Sequence, residues 1–101
     1  MEGSLFFVVF PEDGVWVAHG LQHNIVTHGE SLHEIRENID LLIRGYNEHA
    51  PGAIASAPQA ESKYWEMFTH ALKNNRNLDA VCDDGTNTAM ENSYALELQP
   101  A

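Results

Sequence analysis

The chain predicts an α+β domain. A three-stranded antiparallel sheet is followed by an amphipathic helix, then a second helix and a final strand, in the order β-β-β-α-α-β. Three observations carry this. Leu5-Phe6-Phe7-Val8-Val9-Phe10 is an unbroken apolar run, and Asp13-Gly14 separates it from Val15-Trp16-Val17-Ala18. Ser31 precedes a long apolar stripe at helical spacing. Tyr94, Leu96 and Leu98 alternate with Ala95, Glu97 and Gln99.

The first run is rich in β-branched and aromatic residues and suits a strand buried on both faces. Pro11 is expected to end it, because proline cannot donate to a ladder. Asp13-Gly14 supplies a tight turn, and glycine accepts the positive φ such turns use. On the return strand Val15 and Val17 face one way and Trp16 the other. The expectation is that Trp16 lies on the sheet face away from the first helix. A third strand is expected over 24–28, with Gly29 breaking it before the helix.

Ser31 caps that helix, and Glu34 three residues on completes a capping box. Leu32, Ile35, Ile39, Leu42, Ile43 and Tyr46 form its apolar stripe, with His33, Glu37, Asp40 and Arg44 opposite. Leu41 points away from the stripe. Gly45 lies near the helix end, and Pro51-Gly52 is expected to close it. Residues 50–60 read as a connector of small residues and prolines. The second helix covers roughly 61–73, with Tyr64, Trp65, Phe68, Ala71 and Leu72 on one face. Residues 74–91 are polar and turn-rich, with a turn at Asp83-Asp84-Gly85. The 101 residues read as one domain, 1–49 its core, 50–60 the connector and 61–101 the second helix and final strand.

Composition limits the function classes. Hydrophobic content of 44% supports a folded core. Fifteen acidic residues against five basic ones give a net charge of −10. Such a chain repels phosphate backbones, which disfavours direct nucleic-acid binding. A basic protein partner is favoured instead, because complementary charge speeds encounter and suppresses wrong partners. Cys82 is the sole cysteine, so no internal disulfide can form. It reads as an inert buried thiol in a reducing compartment. No basic and apolar leader is evident at the start, and Leu5–Phe10 is too short to span a membrane. The expectation is a soluble, cytoplasmic protein.

Candidate chemistry has structural explanations. His19, His23, His28 and His33 are spaced by four, five and five residues, which matches no common ligand motif. They are placed in a strand, a turn, a strand and a helix, and are expected to face solvent. Glu12, Asp13, Glu30, Glu34 and Asp40 could supply carboxylates for two-metal nuclease chemistry. Turn, cap and exposed helix face account for them otherwise. No phosphate-binding loop or nucleophile motif is present. Phe10, Trp16, Tyr46, Tyr64, Trp65 and Phe68 could stack bases, but such platforms are rimmed by Lys and Arg that this chain lacks. No cofactor or metal is expected, and no enzyme activity.

Asp13-Gly14 joining two strands, Thr27-x-Gly29-x-Ser31 ending the third, and Glu34 early in the following helix resemble the HicB-like antitoxin family. The resemblance covers Leu5 to Tyr46. It implies a degenerate ribonuclease-H-like fold that binds and blocks a small basic toxin. That toxin, HicA, is an mRNA-cleaving protein with a double-stranded-RNA-binding fold. Where family members often place a proline-glycine turn before the third strand, this chain has Leu21-Gln22-His23-Asn24-Ile25. Residues 74–101 do not resemble the DNA-binding modules that many members carry. Trp16, Phe10 and Leu41 are the expected partner or dimer contacts, while Asp13, Gly14, Gly29, Ser31 and Glu34 are structural. The sheet's second face needs a cover, which the second helix or a second subunit would supply, and a homodimer or higher homo-oligomer is expected, a twofold dimer being the commonest solution. The alternatives are a homodimeric domain of this fold with another protein or ligand partner, and a metal-dependent nuclease of ribonuclease H type.

Overall fold

A computed structural model describes residues 4–50, 52, 58–81 and 92–98. Its elements are β1 (Leu5–Glu12), β2 (Val15–Gly20), β3 (Val26–Gly29), α1 (Leu32–His49), α2 (Ser62–Lys73), α3 (Leu78–Val81) and β4 (Tyr94–Leu98). The strands form one four-stranded sheet in the order β3-β2-β1-β4, antiparallel throughout. The α+β class and the expected element order hold, with a short third helix added before the last strand. The Asp83-Asp84-Gly85 turn, Cys82 and most of the 50–60 connector lie outside the described residues.

Asp13 and Gly14 have φ of 51° and 83°, the two positive values that a two-residue type I′ hairpin requires. β1 does not stop at Pro11 but runs to Glu12, with Pro11 opposite Trp16. The reason lies in ladder alternation. The closing pair Glu12–Val15 carries the hydrogen bonds of such a hairpin, so the Pro11–Trp16 pair does not need them. On its other side β1 has β4 only as far as Val9, so the missing N–H of Pro11 costs no ladder bond there.

The pleat sorts β1 into two cores. Leu5, Phe7 and Val9 pack with Trp16, Ala18, Leu96 and Tyr94 beneath Leu32, Ile35 and Ile39 of α1 and Leu78 of α3. Val8 and Phe10 pack with Leu21 and Ala95 beneath Phe68 and Ala71 of α2. The sheet is therefore covered on both faces within one chain. Trp16 departs from expectation here: it lies under α1, 3% exposed, and Val17 is on the α2 face. The periodicity of β2 separates Trp16 from Val17 but does not say which set meets α1. On α2 the inward side is Tyr64, Trp65, Met67, Phe68 and Ala71, whereas Leu72 is 51% exposed.

Gly29 ends β3 where α1 comes close. A Cβ there would lie 2.9 Å from Ile35 N and 3.1 Å from Ile35 Cα, which only glycine avoids. Ser31 is extended (φ −143°, ψ 165°), and its Oγ accepts from the Glu34 N–H at 3.0 Å. Removing that acceptor with Ser31→Ala is expected to cost about 1 kcal/mol in urea denaturation, and an unchanged midpoint would remove the cap assignment. α1 passes through Gly45 and ends at His49, where the Ala50 N–H donates to Tyr46 O at 2.9 Å.

Beyond Gly20 the pairing with β1 continues through a side chain. The Leu21 N–H donates to Phe6 O at 2.9 Å. Gln22 then accepts from the Phe6 N–H at 2.9 Å and donates to Ser4 O at 2.8 Å. One amide thus meets a backbone group of β1 and one of the residue just before it, where β2 has turned away. Gln22→Ala leaves both without that partner and is expected to cost roughly 1–3 kcal/mol, read as a lowered denaturation midpoint. The end of the connector is tied to the same loop: the Asn24 N–H donates to Pro58 O at 2.6 Å, and the Ala60 N–H to Leu21 O at 2.9 Å.

Candidate interaction surface

Among the described residues, those with chemistry to offer do not converge. Glu12 and Asp13 are at the hairpin tip, Glu30 and Glu34 at the start of α1, and Asp40 on the opposite flank of α1. Among the described residues no group of three or more His, Cys, Asp or Glu could hold a metal ion. The histidines occupy the elements expected of them, with His28 and His33 exposed. His19 is the correction, being buried instead of facing solvent. Its register opposite Val8 puts it on the α2 face, where it stacks on Tyr64 with ring centroids 3.7 Å apart. Its Nε2 is hydrogen-bonded to Asn24 Oδ1. His23 is half-buried in the β2–β3 loop, and its Nδ1 has no hydrogen-bond partner among the described residues.

Aromatic side chains are spent on packing. Phe10 stacks on Tyr64 at 5.8 Å, Phe6 meets Phe68 at 5.3 Å, and Trp16 meets the edge of Tyr94 at 5.9 Å. Phe10 and Trp16, expected at an interface, are therefore buried within the chain. Leu41, the third, stands 57% exposed on the outer side of α1. α2 now covers the open sheet face on which the dimer expectation rested.

Both sheet edges are partly closed. On β3, Asn38 of α1 donates to His28 O at 2.8 Å, taking an outward-facing carbonyl. On β4, the outward Ala95 N–H donates to Arg76 O at 2.8 Å, and Asn77 bridges to Ala95. Such blocking is how proteins keep edge strands from pairing with other chains. It turns attention from the sheet to the helices.

Arg36 clamps α1 to α3, with its Nε 2.7 Å from Asp79 Oδ1 and its Nη1 2.7 Å from Asp40 Oδ1. Burial opposes its charge, but hydrogen bonding and coulombic attraction to the two aspartates outweigh that and raise its pKa above the ordinary value. A raised guanidinium pKa contributes stability that is fully present below the unfolded-state value. That contribution is lost only as pH rises through the folded-state value, beyond any working pH. The clamp therefore holds its cation at every pH at which the domain is used.

Among the described residues two shallow grooves run along the helices. Leu41, Leu42, Gly45, Tyr46, His49 and Ala50 line a shallow groove of about 390 Å³ along the C-terminal half of α1. A second groove, about 460 Å³, follows the outer side of α2 past Trp65 and Lys73. Among the described residues no helix is long and apolar enough to cross a membrane. Sequence reading singled out Leu41 as an outlier from its stripe but missed the groove, because Gly45 reads as a helix-end signal until the helix is seen to continue past it. The chain matches no protein family's profile, no curated protein and no solved structure.

Proposed function

We propose that this chain works by binding a protein, as a HicB-like antitoxin or a solitary relative that neutralises a small basic HicA-type mRNA-cleaving toxin. The observation that carries the reading is the net charge of −10, set on a domain whose aromatic side chains are largely occupied in packing. Such a surface attracts a cationic protein and repels nucleic acid. The Asp13-Gly14, Thr27-x-Gly29-x-Ser31 and Glu34 pattern supplies the resemblance, and its residues serve a turn, a close approach and a helix cap. In this reading the chain holds no cofactor and acts in the cytoplasm by occluding the toxin's RNA-binding surface.

The experiment searches beside this gene for a short open reading frame encoding a small basic protein and co-expresses it with this chain; the absence of such a frame counts against the toxin-partner reading. Growth arrest by the neighbour alone, relieved by this chain and accompanied by a complex on size exclusion, is the expected result. A neighbour that is not toxic, or toxicity that this chain neither binds nor relieves, overturns the reading.

A further inference from the structure

We infer that the outer side of α1 from Leu41 to Ala50 is a docking site for a basic, amphipathic helical segment of the partner protein. The partner's identity rests on the antitoxin reading; the site does not. Leu41 is 57% exposed and lines the groove of about 390 Å³ with Leu42 and Tyr46. Gly45 is the telling residue. Glycine inside a helix costs roughly 0.5–1 kcal/mol relative to alanine, and the other glycines discussed have reasons inside the chain. Gly14 takes a φ of 83°, and Gly29 makes room for the Ile35 backbone. Gly45 has neither reason: a Cβ there would meet nothing within 4 Å. Its missing side chain serves something that comes close from outside.

The spacing states what shape fits. Leu41, Gly45 and His49 follow one another at four-residue intervals, the ridge across which a second helix packs, and a glycine at the crossing shortens the interaxial distance. The charge states the chemistry. Glu34, Glu37 and Glu48 are exposed on the outward flank, with Arg44 as the opposing cation there. The C-terminal end of α1 adds its partial negative charge. An occupant with one large apolar residue seated between Leu41 and Tyr46, and lysine or arginine facing the glutamates, satisfies both. A second copy of this chain would bring the same three glutamates against themselves, at a net charge of −10 on each side.

The test uses the full-length, isotope-labelled protein and two synthetic amphipathic helical peptides, one with leucine and lysine faces and one with glutamate replacing every lysine. The lysine peptide should shift amide signals in 38–50 and bind at least roughly tenfold more weakly to Gly45→Leu. That variant adds a Cβ that meets nothing within 4 Å, and it should keep the wild-type circular dichroism. Equal binding of the glutamate peptide, shifts centred on β3 or α2, or no effect of Gly45→Leu overturns the site. So does a wild-type dimer that Gly45→Leu splits into monomers, which would assign the groove to a second copy. A small basic protein encoded beside this gene, once found, separates the two readings. If it binds wild type and Gly45→Leu alike, the docking site is wrong and the antitoxin reading stands. If it fails to bind while the lysine peptide discriminates as expected, the antitoxin reading falls and the site stands.

Discussion

Trp16→Ala is expected to cost about 3–5 kcal/mol of folding stability, and the loss will not depend on protein concentration. Trp16 is 3% exposed and packs with Val9, Ile35 and Ile39, its ring edge-on to Tyr94. Truncation removes a large apolar surface from water-free contact and leaves a cavity that a helix anchored by Ser31 and Gly29 cannot collapse to fill. An indole at a dimer interface would behave differently. Its removal would split the oligomer, and the midpoint would then move with protein concentration by mass action. Denaturation at two well-separated concentrations, with light scattering on the native state, tells them apart. A stable Trp16→Ala monomer arising from a wild-type dimer would refute the core assignment.

Self-covering of the sheet also changes what a partner can use. A two-layer domain would offer a broad apolar face for dimerisation. Here α1 and α2 each bury one face, Asn38 and Arg76 cap outward groups of the edge strands, and Arg36 ties α1 to α3. Recognition is left to helix surfaces and to charge. Under the proposed function these helix surfaces are where a partner would be met.

The elements that were legible from the residues are those fixed by local chemistry. Asp13-Gly14 can do little between two apolar runs except turn, and Ser31 with Glu34 marks a helix start whatever the rest of the chain does. Alternation likewise placed Tyr94, Leu96 and Leu98 on one face of β4, which is the α1 face. What was not legible depends on pairings between distant segments. The face met by Trp16 is set by which side α1 crosses, and the burial of His19 by α2 arriving from more than forty positions on. Pro11 looked like a strand terminator because its ladder position, opposite Trp16 and beyond the reach of β4, is invisible until the register is known.

The same limit explains α3, and it yields the second large effect. Leu78→Ala is expected to cost about 2–5 kcal/mol. In sequence Leu78 sits in a polar, turn-rich stretch with no periodicity to mark it as core. In the fold it is 0% exposed, seated in the α1-side cluster with Phe7, Ile39 and Leu96. A four-residue helix cannot hold itself together. α3 is held from outside: Asn77 Oδ1 accepts from the Asp79 N–H at 2.9 Å, Arg36 grips Asp79 at 2.7 Å, and Leu78 plugs the core. The plug should dominate, because the Asn77 bond and the Arg36 clamp are solvent-exposed and each is worth about 1 kcal/mol or less. Arg36→Ala is therefore the control. If Leu78→Ala lowers the urea midpoint severalfold more than Arg36→Ala, the segment is anchored by burial. If the two losses are equal, α3 is a surface tether and the α1-side core ends without Leu78.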